Sequence, residues 1–138
     1  MATFNLLDLN YGIPERSRKL VEGWGWGPDS TVGEWISADL GGPHIVIAIR
    51  TSGRYYLFNM YYIVRYKISA SIDGVEWSDV VDDTGSALEF LGNTDGSTIV
   101  RNEMPTPIET RYVKLTIISS STWPELSWAI DGCPIPSN

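Results

Sequence analysis

The chain has 138 residues, of which 43% are hydrophobic and 20% charged, with a formal charge of −7. That length suits one domain, 1–138, around one core and leaves no room for a second. No apolar run is long enough to span a membrane as a helix, and no basic patch is present of the kind nucleic acid requires. The opening segment, Met1 to Asp8, lacks the basic flank and apolar stretch of a signal peptide. The expectation is either an intracellular protein or a mature segment of a longer one. The charge is uneven. Residues 73–103 hold eight acids (Asp73, Glu76, Asp79, Asp82, Asp83, Glu89, Asp95, Glu103) against Arg101, while residues 1–72 are nearly neutral.

Taken in chain order, the elements are β throughout. Trp35 to Leu40 reads as a first strand. Ile45 to Ile49 is an uninterrupted β-branched run, expected to be a strand covered on both sides. From Tyr62 to Ile72, Val64, Tyr66, Ile68, Ala70 and Ile72 alternate with Arg65, Lys67, Ser69 and Ser71, the period of a half-buried antiparallel strand. Asp73-Gly74 follows as a tight type I′ turn, with Val75-Glu76-Trp77 starting the return strand. Pro105 and Pro107 are placed just before a strand from Arg111 to Ser119, where missing amide donors do least harm. Tyr112, Lys114, Thr116 and Ile118 lie on one face of that strand and Val113, Leu115 and Ile117 on the other. Leu126 to Ile130 closes the set. Many short strands without a helical period favour a sandwich or barrel.

Six tryptophans and seven tyrosines raise the question of sugar stacking. Trp35, Trp77, Trp123 and Trp128 lie in or beside strand patterns and are expected in the core. Trp26, in Gly25-Trp26-Gly27-Pro28, is the tryptophan expected to be exposed. The segment from Arg54 to Tyr61 (Arg-Tyr-Tyr-Leu-Phe-Asn-Met-Tyr) connects two strands yet is aromatic where loops are usually polar. Contiguous exposed aromatics mark an interaction surface; the alternative is a lid folded over the barrel end.

Catalysis is not expected. His44 is the single histidine and Cys133 the single cysteine, so a zinc triad, a Ser-His-Asp set, an intrachain disulfide and an activated thiol all lack partners. No opposed pair of carboxylates has a recognisable catalytic context. No cofactor or metal is expected. Asp79, Asp82 and Asp83 offer the hard oxygen ligands calcium prefers, but their spacing matches no calcium-loop motif.

Several segments, in order, carry a resemblance. They are Pro14-Glu15-Arg16-Ser17-Arg18; Gly23-Trp24 through Glu34-Trp35-Ile36-Ser37-Ala38-Asp39-Leu40-Gly41; Ile49-Arg50-Thr51-Ser52-Gly53; Tyr62 to Ile68 with Asp73-Gly74-Val75-Glu76-Trp77; Phe90-Leu91-Gly92-Asn93-Thr94-Asp95; Arg111 to Leu115; Trp123; and Gly132-Cys133. Together they resemble the discoidin (coagulation factor V/VIII type C) family, with details leaning toward the neuropilin b-domain branch. The resemblance implies an all-β, antiparallel β-sandwich or distorted jelly-roll barrel, galactose-binding-domain-like, with ligand loops at one end. It also implies an extracellular or cell-surface setting. Family members usually carry an early cysteine that pairs with the one in the final Gly-Cys, and that partner is missing here.

By the same resemblance, Asp8, Asn10 and Tyr11 belong to the first ligand loop, and Asp29 to a neighbouring turn. Arg54, Tyr55, Tyr56, Phe58 and Tyr61 belong to the second ligand loop. In neuropilin-like members the residue at Asp29 pairs with a ligand's cationic group, and Tyr61 aligns with a pocket tyrosine. The small hydroxyl residues that hold the ligand's carboxylate there are not evident, since Tyr56 and Asn59 fall near those positions. Asp29 and Arg54 are instead expected to bond sugar hydroxyls while Tyr55, Tyr56 or Phe58 stacks. The leading expectation is a non-catalytic module for cell-surface or microbial glycans. Peripheral binding to anionic phospholipid through Tyr56, Leu57 and Phe58 is the second, and adhesion to a protein or peptide is the third. Single sites of this size are often weak, so an oligomer or a longer parent chain suits all three.

Overall fold

The computed structural model describes residues 2–5 and 33–136. Among them the strands are β1 (Ala2–Asn5), β2 (Trp35–Ser52), β3 (Arg54–Tyr56), β4 (Asn59–Tyr61), β5 (Ile63–Ser71), β6 (Ser78–Asp79), β7 (Phe90–Leu91), β8 (Val100–Ser120) and β9 (Ser127–Pro134). β2 and β8 are long because each serves two layers. Residues 35–39 of β2 pair with 112–116 of β8, and residues 44–51 pair with 100–110, with register shifts between Asp39 and His44 and between Val46 and Ala48. The first half of β2 takes β1 in parallel on its other edge, and the second half takes β9 antiparallel. β5 lies against the 112–120 half of β8, with β6 and β7 along its outer edge.

The folded-over sheet encloses one core. Ile36, Ala38 and Leu40 enter it from the first half of β2, Val46 and Ile49 from the second. Tyr66 and Ile68 of β5, Val113, Leu115 and Ile117 of β8, and Leu126 and Trp128 fill the space between. Tyr66 stacks on Phe90 at 5.3 Å between ring centroids and accepts a hydrogen bond from Asn102 Nδ2 at 3.1 Å. Burial pushes its phenol up to about 12.

The all-β jelly-roll expectation holds, and several local ones are corrected. Pro105 and Pro107 lie inside β8. They are tolerated because they fall in residues 104–107, which the register shift between Val46 and Ala48 leaves without partners on β2, so no ladder bond is lost. Asp73-Gly74 is not a two-residue turn. Ala70 pairs with Ser78, so residues 72–77 form a longer loop that carries Ile72 out of the strand pattern, 80% exposed, and in which Asp73 Oδ1 accepts the backbone N–H groups of Val75 and Glu76. Ile45 and Ile47 are 37% and 43% exposed, so that run is covered on one side only.

Of the four tryptophans expected in the core, only Trp128 is there. Trp35 and Trp77 lie on the outer face, clasping the Lys114 ammonium at 4.5 and 4.1 Å from their ring centroids. Trp123 is 45% exposed. A tryptophan covers a lysine stem as readily as it fills a core, so aromaticity beside a strand does not fix its side.

Candidate functional site

β3 and β4 form a separate two-stranded hairpin between β2 and β5, in register Arg54↔Tyr61, Tyr55↔Met60 and Tyr56↔Asn59. Its two-residue loop is Leu57-Phe58, with φ at 48° and 69°. Positive φ at both central residues is the mark of a type I′ turn, which ordinarily calls for Asn-Gly. Here two bulky apolar residues occupy it, at about 1–2 kcal/mol of backbone strain each. The result is a projecting tip, with Phe58 93% and Leu57 67% exposed.

Opposite residues in an antiparallel pair share a face. Arg54, Tyr56, Asn59 and Tyr61 therefore lie on one side of the hairpin, and Tyr55 and Met60 on the other. Tyr55 is 61% and Tyr56 44% exposed. The ligand loop proposed from the sequence thus presents two aromatic faces joined at an apolar tip.

Arg54 anchors the first face. Its side chain is only 11% exposed, its guanidinium lies 4.4 Å from the Tyr56 ring centroid, and its Nη1 meets Glu125 Oε1 at 3.5 Å. Glu125 is itself buried, and its Oε2 accepts no hydrogen bond from the described residues. Burial pushes the Glu125 carboxyl above the usual glutamate range, and Arg54 opposes that only in part. Glu125 was not singled out from the sequence; its only signal is a charged residue wedged between Pro124 and Leu126 in an apolar run.

Two further segments seat the hairpin. The connection from β8 to β9 is tied to its end, where Tyr62 N donates to Ser121 Oγ at 2.9 Å and Ser121 N to Tyr62 O at 3.0 Å. This brings the exposed Trp123 to the same end of the molecule, and Ser121 Oγ donates to the Trp123 carbonyl at 2.8 Å. On the other flank, Gly96 lies so close to β3 that a Cβ there would collide with the Arg54 carbonyl. Asn93, fully buried, holds that loop. Its Nδ2 donates to the carbonyls of Thr51 and Thr98 at 3.1 and 2.8 Å, and its Oδ1 accepts from Thr51 Oγ1 at 2.8 Å.

Of the site residues expected from the sequence, the structure brings Arg54, Tyr55, Tyr56, Phe58 and Tyr61 together on the hairpin. Asp8, Asn10, Tyr11, Trp26 and Asp29 lie outside the described residues. Asp79, Asp82 and Asp83 do not converge. Asp79 is engaged by Ser69 and Lys67, Asp82 folds back on its own turn through Thr84, and no metal-ligating group of three acids, histidines or cysteines occurs among the described residues.

Comparison with known proteins agrees with this architecture. The model of the F5/8 type C domain matches residues 8–130. Neuropilin-1a of Danio rerio is 36% identical over 124 residues, 88% of this chain, which spans 13% of that relative's length. Discoidin II of Dictyostelium discoideum superposes with a TM-score of 0.69 at 22% identity, over 82% of this chain and 43% of that one. The family 32 carbohydrate-binding module of Clostridium perfringens NanJ, solved in complex with galactose, superposes with a TM-score of 0.57 at 19% identity, over 74% of this chain and 69% of that one. With the family model matched along most of its length, the chain belongs to the F5/8 type C (discoidin) domain family.

Proposed function

We propose that this is a non-catalytic glycan-recognition module whose binding surface is the β3–β4 hairpin with Trp123 beside it. The observation that carries the reading is Tyr55, Tyr56 and Phe58 standing exposed on a hairpin whose foot is fixed by a buried Arg54–Glu125 pair. Rings on a hairpin anchored at its foot lose less freedom on stacking against a sugar face than rings on a loose loop. The galactose complex of the NanJ module, which shares the fold, supports the same choice. The reading has the module work at or outside the cell surface, with its weak single sites reinforced by repetition in an oligomer or a longer chain.

A second reading rests on the tip alone. Leu57 and Phe58 are apolar, convex and exposed, the shape that inserts into a lipid interface. Charge weighs against anionic membranes, since the net charge is −7 and Arg54 is already engaged by Glu125.

Titration with galactose-type and acidic glycans, followed by intrinsic fluorescence, tests the first reading. Saturable quenching that is lost in Tyr56→Ala and kept in Leu57→Ser is the expected result. Silence toward sugars, with flotation on phosphatidylserine vesicles that Leu57→Ser abolishes, would replace it with the second.

A further inference from the structure

β5 is nine residues long, so its far end lies roughly 26 Å from the hairpin at ~3.3 Å per residue. There the described residues form a concave surface. Two confluent hollows of about 370 and 410 Å³ share Ala70, Ser78, Ile108 and Glu109. They form one groove between the β5–β6 corner and the bend of β8. Each hollow falls within the ~300–1,000 Å³ typical of ligand sites. Ala70, Val80, Ile108, Pro105 and Pro107 supply an apolar floor, and Ile72, 80% exposed, extends it at one end.

The rim is acidic. Asp73, Glu76 and Glu109 line it, and among the described residues no basic side chain pairs with any of them. The nearby cations are engaged elsewhere: Lys67 pairs with Asp79 at 3.3 Å, Arg111 with Asp39 at 2.8 Å, and Lys114 lies between Trp35 and Trp77. Backbone hydrogen bonds from Glu76 and Val75 hold the Asp73 carboxyl below the usual range, so that charge persists in mild acid. This groove accounts for part of the acidic stretch 73–103, for which the hairpin has no use.

We propose that the groove docks a basic segment of a partner protein in extended conformation, with lysine or arginine at alternate positions and apolar side chains between. An extended chain sends alternate side chains to opposite sides. Its apolar residues lie on the Ala70–Ile108 floor while the long basic stems bend back to Glu76, Glu109 and Asp73. Pro105 and Pro107 remove amide donors from the neighbouring β8 edge, so recognition comes from side chains and charge more than from strand addition. Hairpin and groove lie at opposite ends of β5, so the module would bridge its glycan to this second partner.

The probe is a six-residue peptide of alternating valine and lysine with blocked termini, titrated into isotopically labelled protein at low salt. The expected result is saturable amide shifts at Ala70, Ile72, Ile108 and Glu109, with none at Tyr55–Met60. Affinity should fall roughly tenfold in Glu76→Gln/Glu109→Gln, the sum of two exposed ion pairs, and fall again as salt rises. Near-ultraviolet circular dichroism checks that the variant stays folded. Three results would overturn the proposal: no saturable shifts, an equal loss in the control Asp83→Asn/Glu89→Gln, or the same shifts produced by calcium chloride alone.

Discussion

Arg54 and Glu125 meet at the foot of the exposed hairpin with their side chains each 11% exposed, and among the described residues only one carboxylate oxygen of Glu125 finds a partner. An ion pair so enclosed is costly to break from one side, because the remaining charge is stranded in low dielectric. Arg54→Met is expected to lose about 3 kcal/mol at pH 7. The loss should shrink at mildly acid pH, where Glu125 takes up a proton and leaves no charge behind. Urea unfolding at the two pH values measures it, and equal losses would show that the pair is not coupled as drawn.

The pH dependence of the native protein follows from two opposing sets of groups. The Glu125 pKa is raised by burial, so the folded state binds that proton more readily than the unfolded one. Its contribution is favourable below the ordinary glutamate value and is lost as pH rises through the folded value. Asp39, Asp79, Asp82 and Asp95 are held low, the first two chiefly by side-chain bonds from Arg111 and Ser69 and the last two by Thr84 and Thr98. Their contribution is present above the unfolded aspartate value and disappears as pH falls through the folded ones. Stability should therefore decline steeply below about pH 4. Glu125→Gln should remove the opposing slope in the range above it, as thermal unfolding across pH would show.

Leu57 and Phe58 hold a conformation that suits Asn and Gly better. Leu57→Asn/Phe58→Gly is expected to raise stability by about 1 kcal/mol while weakening ligand binding. Parallel measurement of thermal midpoint and glycan or vesicle affinity tests both halves. A variant less stable than the parent would mean that the tip is not strained.

Asn93 uses both amide hydrogens and its oxygen inside the protein. Asn93→Ala should cost about 2–3 kcal/mol, the desolvation of the abandoned Thr51 and Thr98 groups. Arg111→Ala breaks a better-looking bidentate pair with Asp39, yet Arg111 is 42% exposed, and the expected cost is under about 1 kcal/mol. Chemical unfolding of the two variants ranks them.

Much of the core was legible because period-two patterning reports one-sided burial directly. Tyr66 and Ile68, and Val113, Leu115 and Ile117, are buried as that pattern requires. The site was harder to read. The aromatic run Arg54–Tyr61 advertised a surface, but nothing in Leu57-Phe58 signals a two-residue turn, because the usual glycine or asparagine is absent. Tyr55 and Tyr56 are adjacent in sequence and point to opposite faces, which only the hairpin register reveals. Trp123 looked like core beside a strand, while the Ser121 bonds to Tyr62 draw it to the hairpin end. Pro105 and Pro107 suggested a strand boundary, yet they lie in a bulge where β8 slips register against β2, which no sequence pattern announces.

β2 and β8 each thread both layers. The two layers share these strands at their centre, so neither can open fully without pulling hydrogen bonds from the other. Amide exchange from Ile36–Ala38 and from Val46–Ile49 should then require the same global opening, whereas the β3–β4 amides, in a sheet of their own, exchange by local fluctuation. The hairpin, anchored at its foot, can therefore open at its tip without spending the stability of the sheet that carries it.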